Sequence, residues 1–491
     1  MAGQDLHNTR SQPDQTKLNA GNASRLALKW STSVHGDVSA TPAIVGGAVY
    51  FPDWGGYLTK LDAATGKLLW ERRINSYAGE PQSAFSRTSP AVVGSTLYIG
   101  DQNGATGAHV LAINATTGDL IWSTVINPSP VAIVTQSPVV NAGVVYVGAS
   151  SSEESAALNP NYPCCTFRGS FSAIDAKTGQ IKWTTYTVPP NNGMPGGYSG
   201  GAVWGSTAAI DEPTKTVFIT TGNNYTVPQS ATDCQAAGGT MSQCLNPDDH
   251  IDSILALDLD TGRIKWSTGV QGFDDWNVAC LNLPGGSQQN CPPLAGPDFD
   301  FGSGANLLTI QDNGGKPQLL VGAGQKRGVY WLLDAQTGAI RSSTVVGPGS
   351  SLGGIEWGSA TDKTRIYVAN SDLYRTPYTV NGKTVAIGSF AAIDPPTGKV
   401  LWQVVDPSGS VLDLGPMTVS NGVVFASSMS GHMYALNATT GDVLWDYAGQ
   451  GSSNAGPAID ESGTVYWGNG YANLGLGSQS FTFYAFSVDG K

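Results

Sequence analysis

No run of about 18 apolar residues occurs anywhere in the chain, so the sequence offers no membrane-spanning helix. Charge is scarce at 13%, and the basic share is scarcer still: 25 Lys and Arg face 37 Asp and Glu, for a net charge of −12. A nucleic-acid partner needs a basic face to displace counterions, and this balance excludes one. No secretory leader is visible; Met1-Ala2-Gly3-Gln4-Asp5 reads as a mature chain behind an added initiator. The six cysteines show neither the C-x-x-C spacing of a zinc ribbon nor the C-x-x-C-H of an attached haem.

What is abundant is glycine, 63 residues of it, between many short apolar runs. That pattern predicts an all-β protein with many tight turns. The cysteines fall as neighbours: Cys164 with Cys165, Cys234 with Cys244, and Cys280 with Cys291. An even, locally paired set favours disulfides and an oxidising compartment, periplasmic or secreted, over six buried thiols.

One phrase recurs. Leu61-Asp62 leads through Thr65-Gly66 to Trp70, and Ile113-Asn114 through Thr117-Gly118 to Trp122. The same order returns at Ile174 to Trp183, Leu257 to Trp266, Ile393 to Trp402 and Leu436 to Trp445. In the phrase opening at Leu333-Asp334, Ser342 stands where Trp is due. The apolar alternation is a strand; Asp or Asn caps a short turn; Gly takes its left-handed position; the Trp-bearing strand follows. Two more strands precede each phrase, as in Thr41 to Val45 and Ala48 to Phe51. Four strands per unit make a propeller blade. Seven phrases lie inside the chain, and Tyr484 to Ser487 with Leu28-Lys29-Trp30 supplies the halves of an eighth. The expectation is a single eight-bladed β-propeller over residues 1–491, with Trp-docking repeats and a last blade closed by N- and C-terminal strands. Closure leaves no strand edge open, whereas an open solenoid would need polar caps that are not seen. Blade size is fixed by the ring, so the extra residues near 150–165, 186–200, 225–250 and 270–300 are loops in blades three to five, and they hold every cysteine.

The Ala-x-Asp-x-x-Thr-Gly-x-x-x-Trp phrase resembles the docking repeat of pyrroloquinoline-quinone (PQQ) dehydrogenases, and also that of non-enzymatic outer-membrane assembly propellers. The insertions are similar to polyvinyl-alcohol-dehydrogenase-like proteins: Tyr162-Pro163-Cys164-Cys165-Thr166-Phe167-Arg168-Gly169, then Asp275-Trp276-Asn277, and Pro297-Asp298-Phe299-Asp300-Phe301-Gly302. The resemblance implies oxidation of a small or polymeric alcohol by PQQ with a calcium ion, electrons leaving to an external acceptor.

By that resemblance, Trp204 stacks on PQQ, and Arg87, Thr135, Arg168 and Lys326 answer its carboxylates and quinone oxygens. Cys164-Cys165 is either a lid over the cofactor or a turn clamp. Asn223 matches a calcium ligand, and Glu153 or the adjacent Glu154 a second; an alternative alignment puts Cys164 at that place. The resemblance expects a terminal Asp as proton acceptor where this chain has Asn277. Asn cannot serve as a general base, so Asp274 or Asp275 takes over, or the metal carries more of the load, or the activity is lost. The rival reading is a cofactor-free binding or scaffold propeller; a hydrolase built on Glu153 and Asp274-Asp275 has nothing else in its favour.

Overall fold

The computed structural model describes residues 2–77, 83–102, 107–311, 314–472 and 475–491. Eight sheets each present four consecutive antiparallel strands around a ring. Blade 1 runs Ala43–Val45, Ala48–Pro52, Tyr57–Asp62 and Leu68–Arg73, innermost to outermost. Blades 2 to 7 repeat that order, opening at Ala91, Val139, Ala209, Asn306, Ala360 and Thr418. Blade 8 takes three strands from the C-terminal region and its outermost, Leu26–Ser33, from the other end of the chain. Trp30 sits opposite Ala485 in that last ladder, the expected ring closure.

The repeat phrase glues blade to blade at the rim. The indole N–H groups of Trp30, Trp70, Trp122, Trp183, Trp266 and Trp402 donate to main-chain carbonyls of the next blade at 3.1 to 3.3 Å. Trp445 donates to the Leu26 carbonyl at 2.8 Å, across the closure. The first six of these rings also lie against the next blade's repeat glycine. A Cβ on Gly66 would sit 2.6 Å from the Trp30 ring, and the residue has φ 70°, so only glycine satisfies turn and ring together. The turn is held by Asp62, which accepts from the Thr65 backbone at 2.9 Å and its hydroxyl at 2.6 Å. At Ser342 the docking ring is missing, and Gly398 faces the serine Cβ instead.

Residues 2–20 do something the repeat does not announce. They form a strap that bonds to the innermost strands of successive blades: Ile210 N–H to the Leu6 carbonyl, Leu307 to His7, Thr361 to Thr9 and Val419 to Arg10, at 2.7 to 3.0 Å. The three expected cysteine pairs are disulfides: Cys164–Cys165, Cys234–Cys244 and Cys280–Cys291. No helix among the described residues is long and apolar enough to cross a membrane.

Candidate active site

Innermost strands converge on the ring axis, so the residues just before them meet there. Arg87 precedes blade 2, Thr135 blade 3, Trp204 blade 4, Asp300 blade 5 and Trp357 blade 6. These five line one axial cavity of ≈ 300 Å³, together with Lys326, Glu154, Glu356 and an apolar wall that includes Trp54, Phe85 and Tyr471. Arg87, Thr135, Glu154, Trp204 and Lys326, far apart in sequence, are thereby brought together.

Trp204 and Trp357 pack edge to face, with centroids 5.3 Å apart. Two cations lie over these rings: Lys326 Nζ is 5.2 Å from the Trp204 centroid, and the Arg87 guanidinium 4.3 Å from that of Trp357. Asp300 ties the wall to the floor. Its Oδ2 accepts from Trp204 Nε1 at 2.8 Å and lies 3.5 Å from Lys326 Nζ, and its Oδ1 accepts from the Asn223 backbone at 2.7 Å. Lys326 pairs with Asp298 at 2.8 Å. Burial alone would push Lys326 down, but Asp298 and Asp300 more than offset it and hold the ammonium well above its ordinary range. Burial, then the nearby Asp300, pushes the Glu154 carboxyl up to about 8, and burial pushes Glu356 up to about 7.

Several buried polar atoms around the cavity have no hydrogen-bond partner: Arg87 Nε, Thr135 Oγ1, Asn223 Oδ1, Glu356 Oε1 and Trp357 Nε1. Buried polar groups normally find a partner, and a bound ligand can supply it here. The Asn223 amide shows the logic. Its Nδ2 donates to the Asn224 and Trp276 carbonyls at 2.8 and 2.9 Å, which fixes the side chain and leaves Oδ1 free. No group of three or more His, Cys, Asp or Glu side chains among the described residues is arranged to hold a metal. The set here is mixed: the carboxylates of Glu154 and Asp300 with the amide oxygen of Asn223, hard oxygens of the kind calcium takes.

Other candidates stand apart. Glu153 is turned from the cavity and saturated: it accepts from Tyr162 Oη and the Thr166 and Phe167 backbone at 2.7 to 2.8 Å, clamping the Cys164–Cys165 loop. That disulfide packs in an apolar cluster with Phe167 and Tyr225, beside Trp204, and neither cysteine lines the cavity. Arg168 donates to the Val188 carbonyl and lies over Tyr186. Asp274 accepts from the backbone of Asp298 and Phe299, positioning the segment that carries Asp300. Asp275 is buried, its carboxyl pushed up to about 7 by burial and then by Asp274, and it too is off the cavity wall. Asn277 caps a short 3₁₀ turn through the Ala279 N–H. The sequence reading passed over Asp300, Glu356 and Trp357. A signal existed: Trp357-Gly358-Ser359 repeats Trp204-Gly205-Ser206.

A family profile described as outer membrane protein assembly factor BamB matches residues 9–268 and 325–478, so the chain belongs to that family of repeat propellers. Within it, the sequence relatives place the chain among the quinoprotein alcohol dehydrogenases. The polyvinylalcohol dehydrogenase of Sphingopyxis sp. (strain 113P3) is 30% identical over 525 residues, spanning 96% of this chain and 74% of that protein. Its counterpart from a Pseudomonas species is 29% identical, spanning 100% and 76%. The chain is an enzyme of the PQQ-dependent alcohol dehydrogenase family, on the polyvinyl alcohol dehydrogenase branch. Among solved structures, the quinohemoprotein alcohol dehydrogenase from Comamonas testosteroni shares the fold with a TM-score of 0.73 at 22% identity, covering 100% of this chain and 80% of that one. BamB from Moraxella catarrhalis shares it at 0.55 and 14%, covering 94% and 97%.

Proposed function

We propose that the chain oxidises a small or polymeric alcohol with PQQ and a calcium ion in the axial cavity and passes the electrons to an external acceptor. The observation that carries this is the meeting, in one cavity, of two indole walls, two cations and hard oxygens around partnerless polar atoms. When bound, the quinone supplies a two-electron acceptor and the ion a Lewis acid. Trp204 and Trp357 give the rings their walls. Arg87, Lys326 and the Thr135 hydroxyl meet the cofactor's anionic oxygens, and Glu154, Asn223 and Asp300 hold the ion. Asp300 takes the proton from the alcohol hydroxyl. Trp204 Nε1 and the Asn223 N–H hold its carboxylate in place. Asp274 acts behind it, as a positioning residue. The disulfides support a periplasmic or secreted setting.

Titration calorimetry with PQQ and calcium tests the reading. Saturable PQQ binding that strengthens with calcium is expected. No binding at all would return the chain to the scaffold reading.

A further inference from the structure

One position of the repeat, just before each innermost strand, changes character halfway round the ring. Blades 1 to 4 place a hydroxyl two residues before that strand: Thr41, Ser89, Ser137 and Thr207. Blades 5, 6 and 8 place glycine there, Gly304, Gly358 and Gly456, and blade 7 places Pro416. The strap explains two of those glycines. A Cβ on Gly456 would meet Arg10 Nη2 at 2.6 Å, and one on Gly358 would meet Arg10 Cδ at 3.3 Å. Blades 6 and 8 are cut back to glycine where the Arg10 side chain enters the axis.

Arg10 ends at a chamber of ≈ 50 Å³ between the strap and the cavity above, lined by Arg10, Arg87, Thr41, Ser89, Ser137 and Ser206, with no carboxylate in its wall. The guanidinium is buried and donates to the Met417 carbonyl and Thr41 Oγ1, both at 2.9 Å. No carboxylate pairs with it among the described residues. Burial draws its pKa down to about 10, as expected of a cation without a counter-charge.

The hydroxyls are set to donate. Thr41 Oγ1 accepts from Arg10, Ser89 Oγ from the Thr41 N–H at 2.9 Å, and Ser137 Oγ from the Ser89 N–H at 2.9 Å. Each oxygen is occupied as acceptor, while none of these three O–H groups has an acceptor among the described residues. Arg87 Nε and Trp357 Nε1, on the same wall, are likewise donors without acceptors. Two guanidiniums and a row of free donors around a space too small for an organic acid make an anion site.

We propose that this axial chamber binds a small monovalent anion of the halide class, held by Arg10 and the Thr41, Ser89 and Ser137 hydroxyls. The anion neutralises the charge that the strap carries into the axis.

The test uses the full chain without added cofactor, so failure of the quinone reading leaves it standing. Crystals soaked in bromide should show an anomalous peak in the chamber. The melting temperature should rise with chloride or bromide and not with gluconate at equal ionic strength, and Arg10→Met should abolish the halide-specific part. Should that variant fail to fold, the Ser89→Ala/Ser137→Ala double variant keeps Arg10 and should raise the half-saturating bromide concentration by about tenfold. An empty chamber in bromide, or equal responses to halide and gluconate, overturns the proposal.

Discussion

At the rim, one phrase is repeated with a single defect: Asp or Asn, Thr, Gly, then Trp, each indole bonded to the next blade and only Ser342 out of step. At the axis, the residues before the innermost strands include Arg87, Thr135, Trp204, Asp300 and Trp357, and the repeat is hard to see. The rim's energy comes from doing the same thing at every junction, since each blade buries its faces only against its neighbours. The axis is where the blades converge, and there each contributes a different group to one small volume. Periodicity makes the disc, and departures from it make the site.

Breaking the ring gives the largest expected effect. Removing residues 1–31 takes away all but the last two residues of Leu26–Ser33, the outer strand of blade 8, and the strap bonded across blades 4 to 7. It leaves an unpaired strand edge at Thr482–Val488 and opens one end of the axis. The truncated chain should aggregate or lose its cooperative melt, read by size-exclusion chromatography and circular dichroism. A soluble truncation with an unchanged melt would show that the closure is dispensable.

The contrast also explains what could be read from the sequence. The blades, the split eighth blade and the cysteine pairs were legible because each rests on a pattern repeated many times or on near neighbours. The axis was legible only where a residue carries an unusual local word, as Trp204 and Lys326 do. Glu153 and Glu154 are adjacent in sequence yet point opposite ways, one clamping the Tyr162 to Phe167 loop and the other facing the cavity, and no periodicity separates them. The roles of Asp274 and Asp300 are hard to separate in sequence for a similar reason. The loop between them is closed by Cys280–Cys291, and the fold lays the second segment over the first so that Asp274 holds the Asp298 and Phe299 backbone. The strap stayed hidden because it has no repeat at all.

Next in size is the proposed base. Asp300→Asn keeps shape but removes proton acceptance, and should lower kcat by about 10³-fold with PQQ affinity much less affected. Asp275→Asn should leave kcat within about threefold, since its carboxyl lies off the cavity wall. If the two variants behaved the other way round, the proton acceptor would have to be moved to Asp275. Dye-reduction kinetics at saturating PQQ and calcium separate the cases.

At the rim, Trp402→Ala removes a buried indole that bonds to the Ala438 carbonyl and covers Gly441. The loss should be about 3 kcal/mol, the scale of a large-to-small change in a core. Activity at low temperature should persist, because the site draws nothing from that junction. Thermal unfolding followed alongside dye reduction checks both halves of the statement.

The smallest effect comes from repairing the defect. At the junction of blades 5 and 6, Gly398 has the φ of 66° shared by its counterparts, and its hypothetical Cβ would lie 2.8 Å from Ser342 Cβ. Thr344 still donates to the Gly398 carbonyl at 2.7 Å, as Thr268 does to Gly338 at 2.8 Å and Thr185 to Gly262 at 2.6 Å. The strand register and the glycine platform are therefore both present, and only the ring is absent. Pro395 follows Asp394 as Ala63 follows Asp62, which puts its carbonyl at the acceptor position of the repeat. Ser342→Trp should lay an indole on Gly398 and donate to that carbonyl, adding about 1 kcal/mol. The melting temperature should rise by a few degrees with kcat unchanged. A fall in melting temperature would mean that blades 5 and 6 pack too closely for the ring, and that the serine keeps this junction narrow instead of marking a repeat worn away.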